Sequence, residues 1–305
     1  MKLLHALLIG TSLAIATPAF AHDHGEMGGE MKHCMPGKDC PHMQKSADSM
    51  QGMDHGKKET AHEHGEVAKT LAVKMLPQGE LKAGKTTKML MQIATAKDSK
   101  PVTPEEINVV HTQRVHLLVI DPTLTDYHHI HPTPTGKAGE WAFDFTPKKD
   151  LSYRIWTDVT PAATGKQEYI KTDIGKSSIT SHEMDKTLIS KSEAGGYQFA
   201  LSFDEPLVAE KPVMGKVVVT DKAGKPVSNL QPVMGAFAHI VGFGEDGNTI
   251  LHIHPMGKEP TSESERGGPE LQFHIEPEKA GFVKLFVQTR IDGKDLFAPM
   301  SVVVK

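Results

Sequence analysis

Two His-x-His-Pro motifs, 123 residues apart, are the parts of this chain best suited to chemistry: His129–Pro132 and His252–Pro255. Another histidine, His116 or His239, lies fifteen residues before the second histidine of each motif. Imidazole nitrogen is a good ligand for copper, zinc and nickel. The repeated triplets therefore predict a metal site in each copy.

A turn signal determines which residues of the second triplet face each other. Asp246-Gly247 favours a type I′ hairpin turn, since both central positions require φ > 0. A hairpin centred there pairs residues whose numbers sum to 493, which puts His239 opposite His254. His252 lies two residues from His254 and therefore shares its face of the strand. We expect these three rings to converge, with His274 as a fourth donor.

The first triplet has the same spacing but a weaker turn signal, at 121–126, so its register is less constrained. The alternative interpretation of both triplets is structural, with neutral, hydrogen-bonded histidines bracing the turns. His111, His128 and His182 match no histidine in the other copy. We interpret them as surface residues.

A second group of candidate ligands lies in the segment 22–66, which contains seven His and six Met but no aromatic residue. Such a segment cannot bury enough apolar surface to fold alone, so we expect it to be disordered without a ligand. Sulfur donors select Cu(I) and Ag(I). Cys34 and Cys40 are either thiolate ligands or, in an oxidising compartment, a disulfide. The candidate ligands of this segment are His22, His24, His33, Cys34, Cys40 and His42.

The first 21 residues have the features of a secretory signal peptide. Lys2 precedes an apolar stretch, and Ala19-Phe20-Ala21 is a suitable cleavage site. The stretch is shorter than the roughly 20 residues of a spanning helix. We therefore expect a periplasmic or secreted product with no membrane span after cleavage. Cleavage would expose His22-Asp23-His24, whose amine, amides and imidazole suit square-planar Cu(II) or Ni(II).

Short β-branched and aromatic runs separated by turn residues follow the leader and indicate β-sandwiches. The two β-regions also repeat each other, because 140–147 matches 270–277 in pattern and spacing. We expect an all-β protein with two tandem immunoglobulin-like β-sandwich domains. The predicted organisation is a signal peptide (1–21), a disordered His/Met-rich metal-binding segment (22–68), domain 1 (69–176), a linker (177–195) and domain 2 (196–305).

Charge and motifs argue against several functional classes. The formal net charge of −4 provides no basic surface for nucleic acid. The sequence also has no nucleophile elbow, phosphate-binding loop or paired-carboxylate motif. We therefore expect a binding protein and not an enzyme.

The stretches 115–121 and 126–132, followed by Trp141 and Trp156, resemble the YtkA/FixH-like group of secreted immunoglobulin-like domains. The resemblance extends over about 71–305 and implies an immunoglobulin-like sandwich in a heavy-metal context. It implies no established ligand set. The chain is also similar to periplasmic copper carriers of the CopC type in its expected fold and amino-terminal histidine. Its tandem His-x-His-Pro motifs depart from that pattern, so those ligands are not carried over.

These features together predict a periplasmic copper or silver binding protein that buffers the metal, confers tolerance or delivers it. Its expected partners are metal ions and a periplasmic metal-export or metal-acceptor protein. One alternative is a zinc or nickel binding protein. The other is a structural or adhesion protein whose histidines are structural.

Overall fold

The computed structural model describes residues 69–175, 183–253 and 256–305, except for the side chain of His252. The predicted signal peptide and His/Met-rich segment lie outside the described residues, as does His254. The same holds for the leader ligands His22, His24, His33, Cys34, Cys40 and His42. Within the described ranges, no helix has the length and apolar character of a membrane span.

The described residues are nearly all β, with a short 3₁₀ turn at Pro104–Glu106. The strands of the first module are β1 (Leu71–Pro77), β2 (Thr87–Thr95), β3 (Val115–Ile120), β4 (Tyr127–Ile130), β5 (Thr133–Pro134), β6 (Glu140–Phe145), β7 (Tyr153–Val159) and β8 (Glu168–Ile174). Those of the second module are β9 (Lys191–Ala194), β10 (Tyr197–Phe203), β11 (Val213–Asp221), β12 (His239–Gly244), β13 (Ile250–Ile253), β14 (Glu270–Ile275), β15 (Gly281–Ile291) and β16 (Lys294–Val304).

Each module consists of two antiparallel four-stranded sheets around its own core. In the first module the sheet β1-β2-β6-β5 faces the sheet β4-β3-β7-β8; in the second, β9-β10-β11-β14 faces β13-β12-β15-β16. We call β4-β3-β7-β8 and β13-β12-β15-β16 the central sheets. Their strands have the same order in both modules, as a tandem duplication requires. The predicted all-β fold with two sandwich domains is confirmed.

The start of the second module includes residues that the sequence assigned to the linker. Strand β9 lies within 177–195 and pairs antiparallel with β10. Ile189 also forms a bridge with Ser301 on β16. These contacts tie the end of the connection to the second sandwich.

The predicted hairpin register is confirmed for the strands on both sides of Asp246-Gly247. Ile240 pairs with Ile253 and Phe243 with Ile250, so the paired residue numbers sum to 493 as expected. The Asp246 carboxylate holds the turn by accepting hydrogen bonds from the backbone N–H groups of Asn248 and Thr249, each at 2.8 Å. The predicted type I′ turn is wrong, because Gly247 but not Asp246 has positive φ and the Gly247 N–H bonds the carbonyl of Gly244. The register is nevertheless the predicted one, so local turn chemistry sets which side chains share a face.

The first module reaches the same register through an equivalent turn, in which the Leu124 N–H bonds the Asp121 carbonyl and Leu124 has positive φ at the position of Gly247. Leu117 pairs with Ile130, which is the same alignment 123 residues earlier. Buried Asp121 organises the connecting loop by accepting hydrogen bonds from the backbone N–H groups of Thr125 and Asp126, each at 2.8 Å. This carboxylate explains how a weak turn signal still gives a defined pairing.

The two modules pack together through the outer faces of their central sheets. Strands β3 and β12 are buried at every position because both faces of each central sheet are covered. Tyr127 stacks on Phe286 of the other module with ring centroids 4.8 Å apart. We call the apolar part of this contact the interface cluster: Leu118, Ile120, Leu124, Tyr127, Trp156, Val241, Phe243 and Phe286.

Coupling between Tyr127 and Phe286 tests this packing. We expect Tyr127→Ala and Phe286→Ala each to lower the free energy of unfolding by about 3–5 kcal/mol, as for other buried aromatic truncations. The double variant should show a coupling energy of about 0.5–1.5 kcal/mol, because the rings interact directly. Urea unfolding of the four proteins measures this cycle.

Phe203, which packs on Phe273 within the second module, provides the control. Tyr127→Ala and Phe203→Ala should be additive to within about 0.5 kcal/mol, since the residues belong to separate cores. Additivity of Tyr127→Ala with Phe286→Ala would mean that the modules do not pack in this way in solution.

Candidate metal centre

Three histidines of the first module converge on the outer face of its central sheet. The pairing of Leu117 with Ile130 aligns His116 on β3 with His131, which directly follows β4. His129 lies two residues before His131 and therefore projects from the same face. The ligand atoms of the three rings lie within 4.8 Å of one another. The structure thus brings together the triplet that the sequence predicted for this module.

The ring of His116 lies close to both of the others, with its centroid 5.4 Å from that of His129 and 4.9 Å from that of His131. Its Nδ1 is 3.2 Å from His129 Nε2 and 3.2 Å from His131 Nε2. Two nitrogens bound to one ion at about 2.0–2.1 Å, with about 100° between the bonds, are about 3.2 Å apart. Each of these two pairs therefore has the separation of neighbouring metal ligands.

Hydrogen bonds outside the cluster determine which nitrogens carry protons. His116 Nε2 lies 3.0 Å from the carbonyl oxygen of Val110, which can only accept, so Nε2 donates and Nδ1 has the lone pair. His129 Nδ1 lies 2.9 Å from Gln288 Oε1 and donates to it, which leaves the lone pair on His129 Nε2. Two lone pairs therefore face each other across 3.2 Å. His116 Nδ1 and His129 Nε2 therefore cannot hydrogen-bond to each other, whereas His116 Nδ1 can accept a proton from His131 Nε2, which lies 3.2 Å away.

Burial keeps the cluster in the neutral form that binds metal. Burial lowers the pKa of His129 well below its ordinary value, and the neighbouring His131 and His116 lower it further. Burial also lowers the pKa of His131 to about 4, with an added contribution from His116. Both rings are therefore deprotonated at neutral pH, and a metal ion does not have to displace a proton from them.

The second module places His239 in the same way as His116. His239 is 1% exposed, and its Nε2 lies 3.1 Å from the carbonyl oxygen of Val233, the repeat equivalent of Val110. Its ring centroid is 6.3 Å from that of His129, so the histidine faces of the two modules meet. The backbone of His252 pairs with Val241. The side chain of His252 and all of His254 lie outside the described part of the structure, so the second triplet stays a prediction.

His111 belongs to this region and not to the open surface, contrary to the sequence interpretation. It is half-buried, and its ring centroid is 5.4 Å from that of His239 and 6.4 Å from that of His116. His111 and Thr112 have positive φ, like Met234 and Gly235 in the second module. Alignment of the two repeats at Val110 and Val233 would have revealed this shared turn. The residue after the valine is His111 in the first copy and Met234 in the second.

Two other histidines that the sequence analysis considered, His274 and His128, lie outside this cluster. His274 is exposed on β14 in the sheet that lies across the core from β12, because Phe273 and Ile275 take the inward positions. It is therefore not brought to the histidines as a fourth donor. His128 is half-buried on the face opposite to His129, where its ring contacts Phe145. His182 lies outside the described residues.

Comparison with solved structures finds distant similarity to several proteins. Trypsin-activated alpha-2-macroglobulin from Escherichia coli is 13% identical, with a TM-score of 0.25 over 77% of this chain. MtrC from Shewanella baltica OS185 is 8% identical, with a TM-score of 0.23 over 78% of this chain and 69% of its own. Domains 4 and 5 of the S-layer protein SbsC are 9% identical, with a TM-score of 0.20 over 77% of this chain and 96% of theirs. The chain spans 15% of the length of that alpha-2-macroglobulin.

Sequence comparison identifies a family. No curated protein matches the chain. One family, described as "Domain of unknown function (DUF8832)", matches twice, over residues 66–174 and 192–305. The two matches correspond to the two sandwich modules and cover more than half of the chain. The protein therefore belongs to this family of domains of unknown function and carries the domain in two copies.

Proposed function

We propose that the protein binds a soft or borderline transition-metal ion, copper first, through His116, His129 and His131. The observation that carries this proposal is the convergence of three imidazole nitrogens, with His116 Nδ1 3.2 Å from both His129 Nε2 and His131 Nε2 and all three ligand atoms within 4.8 Å of one another. Imidazole nitrogen suits copper, zinc and nickel alike. Copper and silver rank ahead because the leader adds methionine sulfur, which favours Cu(I) and Ag(I).

The proposed role is buffering, tolerance or delivery in the periplasm or outside the cell. The His/Met-rich leader would capture ions, and the ordered cluster would hold them or pass them to a metal-export or metal-acceptor protein. Donors carried on the same chain as the cluster would raise its effective concentration of ligands. The proposal is for binding and transfer, and copper-dependent turnover of an oxidisable substrate would contradict it.

A structural role for the histidines is the second candidate. His116 and His239 are 3% and 1% exposed, and each hydrogen-bonds a backbone carbonyl within its own module. Such bonds brace the turns that contain Val110 and Val233. If this were their only role, replacing His116 would lower stability and leave metal affinity unchanged.

Replacement of His131 tests metal binding with little disturbance of the core, because this ring hydrogen-bonds within the cluster. We expect His131→Gln to weaken binding of the preferred ion by more than about 100-fold, beyond the effect of most outer-shell changes. Competition titration with Cu(I), Cu(II), Zn(II) and Ni(II) measures the change. It should be done on the full chain and on a variant lacking 22–64, so that leader binding is measured separately.

His274→Gln is the matched control, since His274 is exposed on the far sheet. It should leave the affinity of the cluster unchanged. Equal affinities for His131→Gln and His274→Gln in the leader-deleted protein would contradict the proposed site.

The lowered pKa values of His129 and His131 predict a pH-dependent stability of the metal-free protein. In the unfolded chain both rings titrate near 6.5, whereas in the folded protein the pKa of His131 is about 4 and that of His129 is well below 6.5. Between these values the unfolded state binds more protons, so stability falls as the pH is lowered. We expect the free energy of unfolding to decrease from about pH 6.5 to about pH 4.

Urea unfolding across this pH range measures the effect. The decrease should be smaller in His131→Gln, which cannot protonate, and unchanged in His274→Gln. The same decrease in all three proteins would show that the cluster is not held neutral by burial.

A further inference from the structure

Gln288 links the second module to the histidine cluster of the first. It lies on β15, is 4% exposed and pairs across the sheet with His239. Its Oε1 reaches across the module contact to His129 Nδ1 at 2.9 Å. The amide therefore belongs to one module and the ring that it contacts belongs to the other.

We propose that Gln288 is a positioning residue of the metal centre, which keeps the His129 proton on Nδ1 so that Nε2 faces the ion. This inference rests on the proposed metal binding and deepens it, because it makes the site depend on both modules. A hydrogen bond to the remote nitrogen of a ligand histidine sets its tautomer and orientation in many metal sites.

The orientation of the Gln288 amide is itself determined by its neighbours. Gln288 Nε2 lies 3.3 Å from Asp295 Oδ2, and a carboxylate can only accept, so the NH₂ end must face Asp295. Asp295 is fixed in position by Arg290, whose Nε and Nη2 lie 2.6 Å and 3.2 Å from its two oxygens. The amide oxygen is therefore left facing His129. The position of the His129 proton is therefore set by three residues of the second module: Arg290, Asp295 and Gln288.

The consequence of losing this acceptor follows from the spacing within the cluster. Without Gln288 Oε1, the His129 proton can move to Nε2, which lies 3.2 Å from the lone pair of His116 Nδ1. A hydrogen bond between the two rings would then occupy two of the three nitrogens of the proposed site. Gln288 therefore keeps the two rings from satisfying each other.

Metal binding and module packing should also be coupled. In this proposal the cluster has its metal-binding tautomer only when the two modules are packed together. Packing therefore increases the affinity for the ion, and by linkage a bound ion stabilises the packing of the modules by the same free energy.

Substitution of Gln288 in the full chain tests the proposal. Gln288→Met has a similar shape and no acceptor, whereas Gln288→Glu retains an acceptor at the same reach. The matched control is Gln272→Met, on the exposed side of β14. Proton–nitrogen correlation spectra of the imidazole rings, recorded on metal-free protein, show which nitrogen of His129 carries the proton. Competition titration with copper then gives the affinity.

We expect Gln288→Met to move the His129 proton from Nδ1 to Nε2 and to weaken copper binding by about 10- to 100-fold. Gln288→Glu should keep the proton on Nδ1, and Gln272→Met should change neither measurement. If Gln288→Met does not fold, Asp295→Leu serves instead, because it removes the acceptor that orients the amide and should also release the His129 proton.

An unchanged His129 tautomer in Gln288→Met would overturn the proposal. Equal losses of affinity in Gln288→Met and Gln288→Glu, with the proton still on Nδ1 in both, would also overturn it and assign Gln288 to packing alone. If the tautomer moves as expected but His131→Gln leaves copper affinity unchanged, the metal function fails while the orienting role of Gln288 stands. The tautomer measurement requires no metal, so the two failures are distinguishable.

Discussion

The contact between the outer faces of the two central sheets determines both the stability of this protein and the chemistry of its histidines. Alternate residues of a strand point to the same side of a sheet, so each face has a fixed set of side chains. On the faces that meet, strand β3 of the first module carries His116, Leu118 and Ile120, and strand β12 of the second module carries His239, Val241 and Phe243. Joining the faces buries the apolar and the imidazole side chains together.

Burial of imidazoles in this contact has two physical consequences. The charged form loses its hydration, which lowers the pKa of His129 and His131 and leaves neutral donors. Each ring also needs hydrogen-bond partners in place of water, and these partners decide where its proton lies. Other polar groups also cross between the modules, since Arg154 bonds the carbonyl of Gly247. The contact that joins the modules therefore also prepares the metal ligands.

The sequence could predict features that depend on local turn chemistry and on repetition. The Asp-Gly turn and the two-residue period of a strand give the register around His239, and the repeat transfers that register to His116. What it could not predict depends on packing between distant segments. Gln288 contacts a histidine 159 residues away, and no local pattern marks it. His274 failed as a fourth donor because spacing along the chain does not show which sheet β14 joins.

X-ray absorption spectroscopy of the full chain loaded with one equivalent of copper identifies the atoms bound to the ion, and therefore tests whether the histidine cluster holds it. We expect nitrogen ligands of imidazole type at about 2.0–2.1 Å, and a spectrum that changes when His131 is replaced by Gln. A first shell made of sulfur, unaffected by that substitution, would place the ion in the leader and contradict a metal centre between the packed sheets.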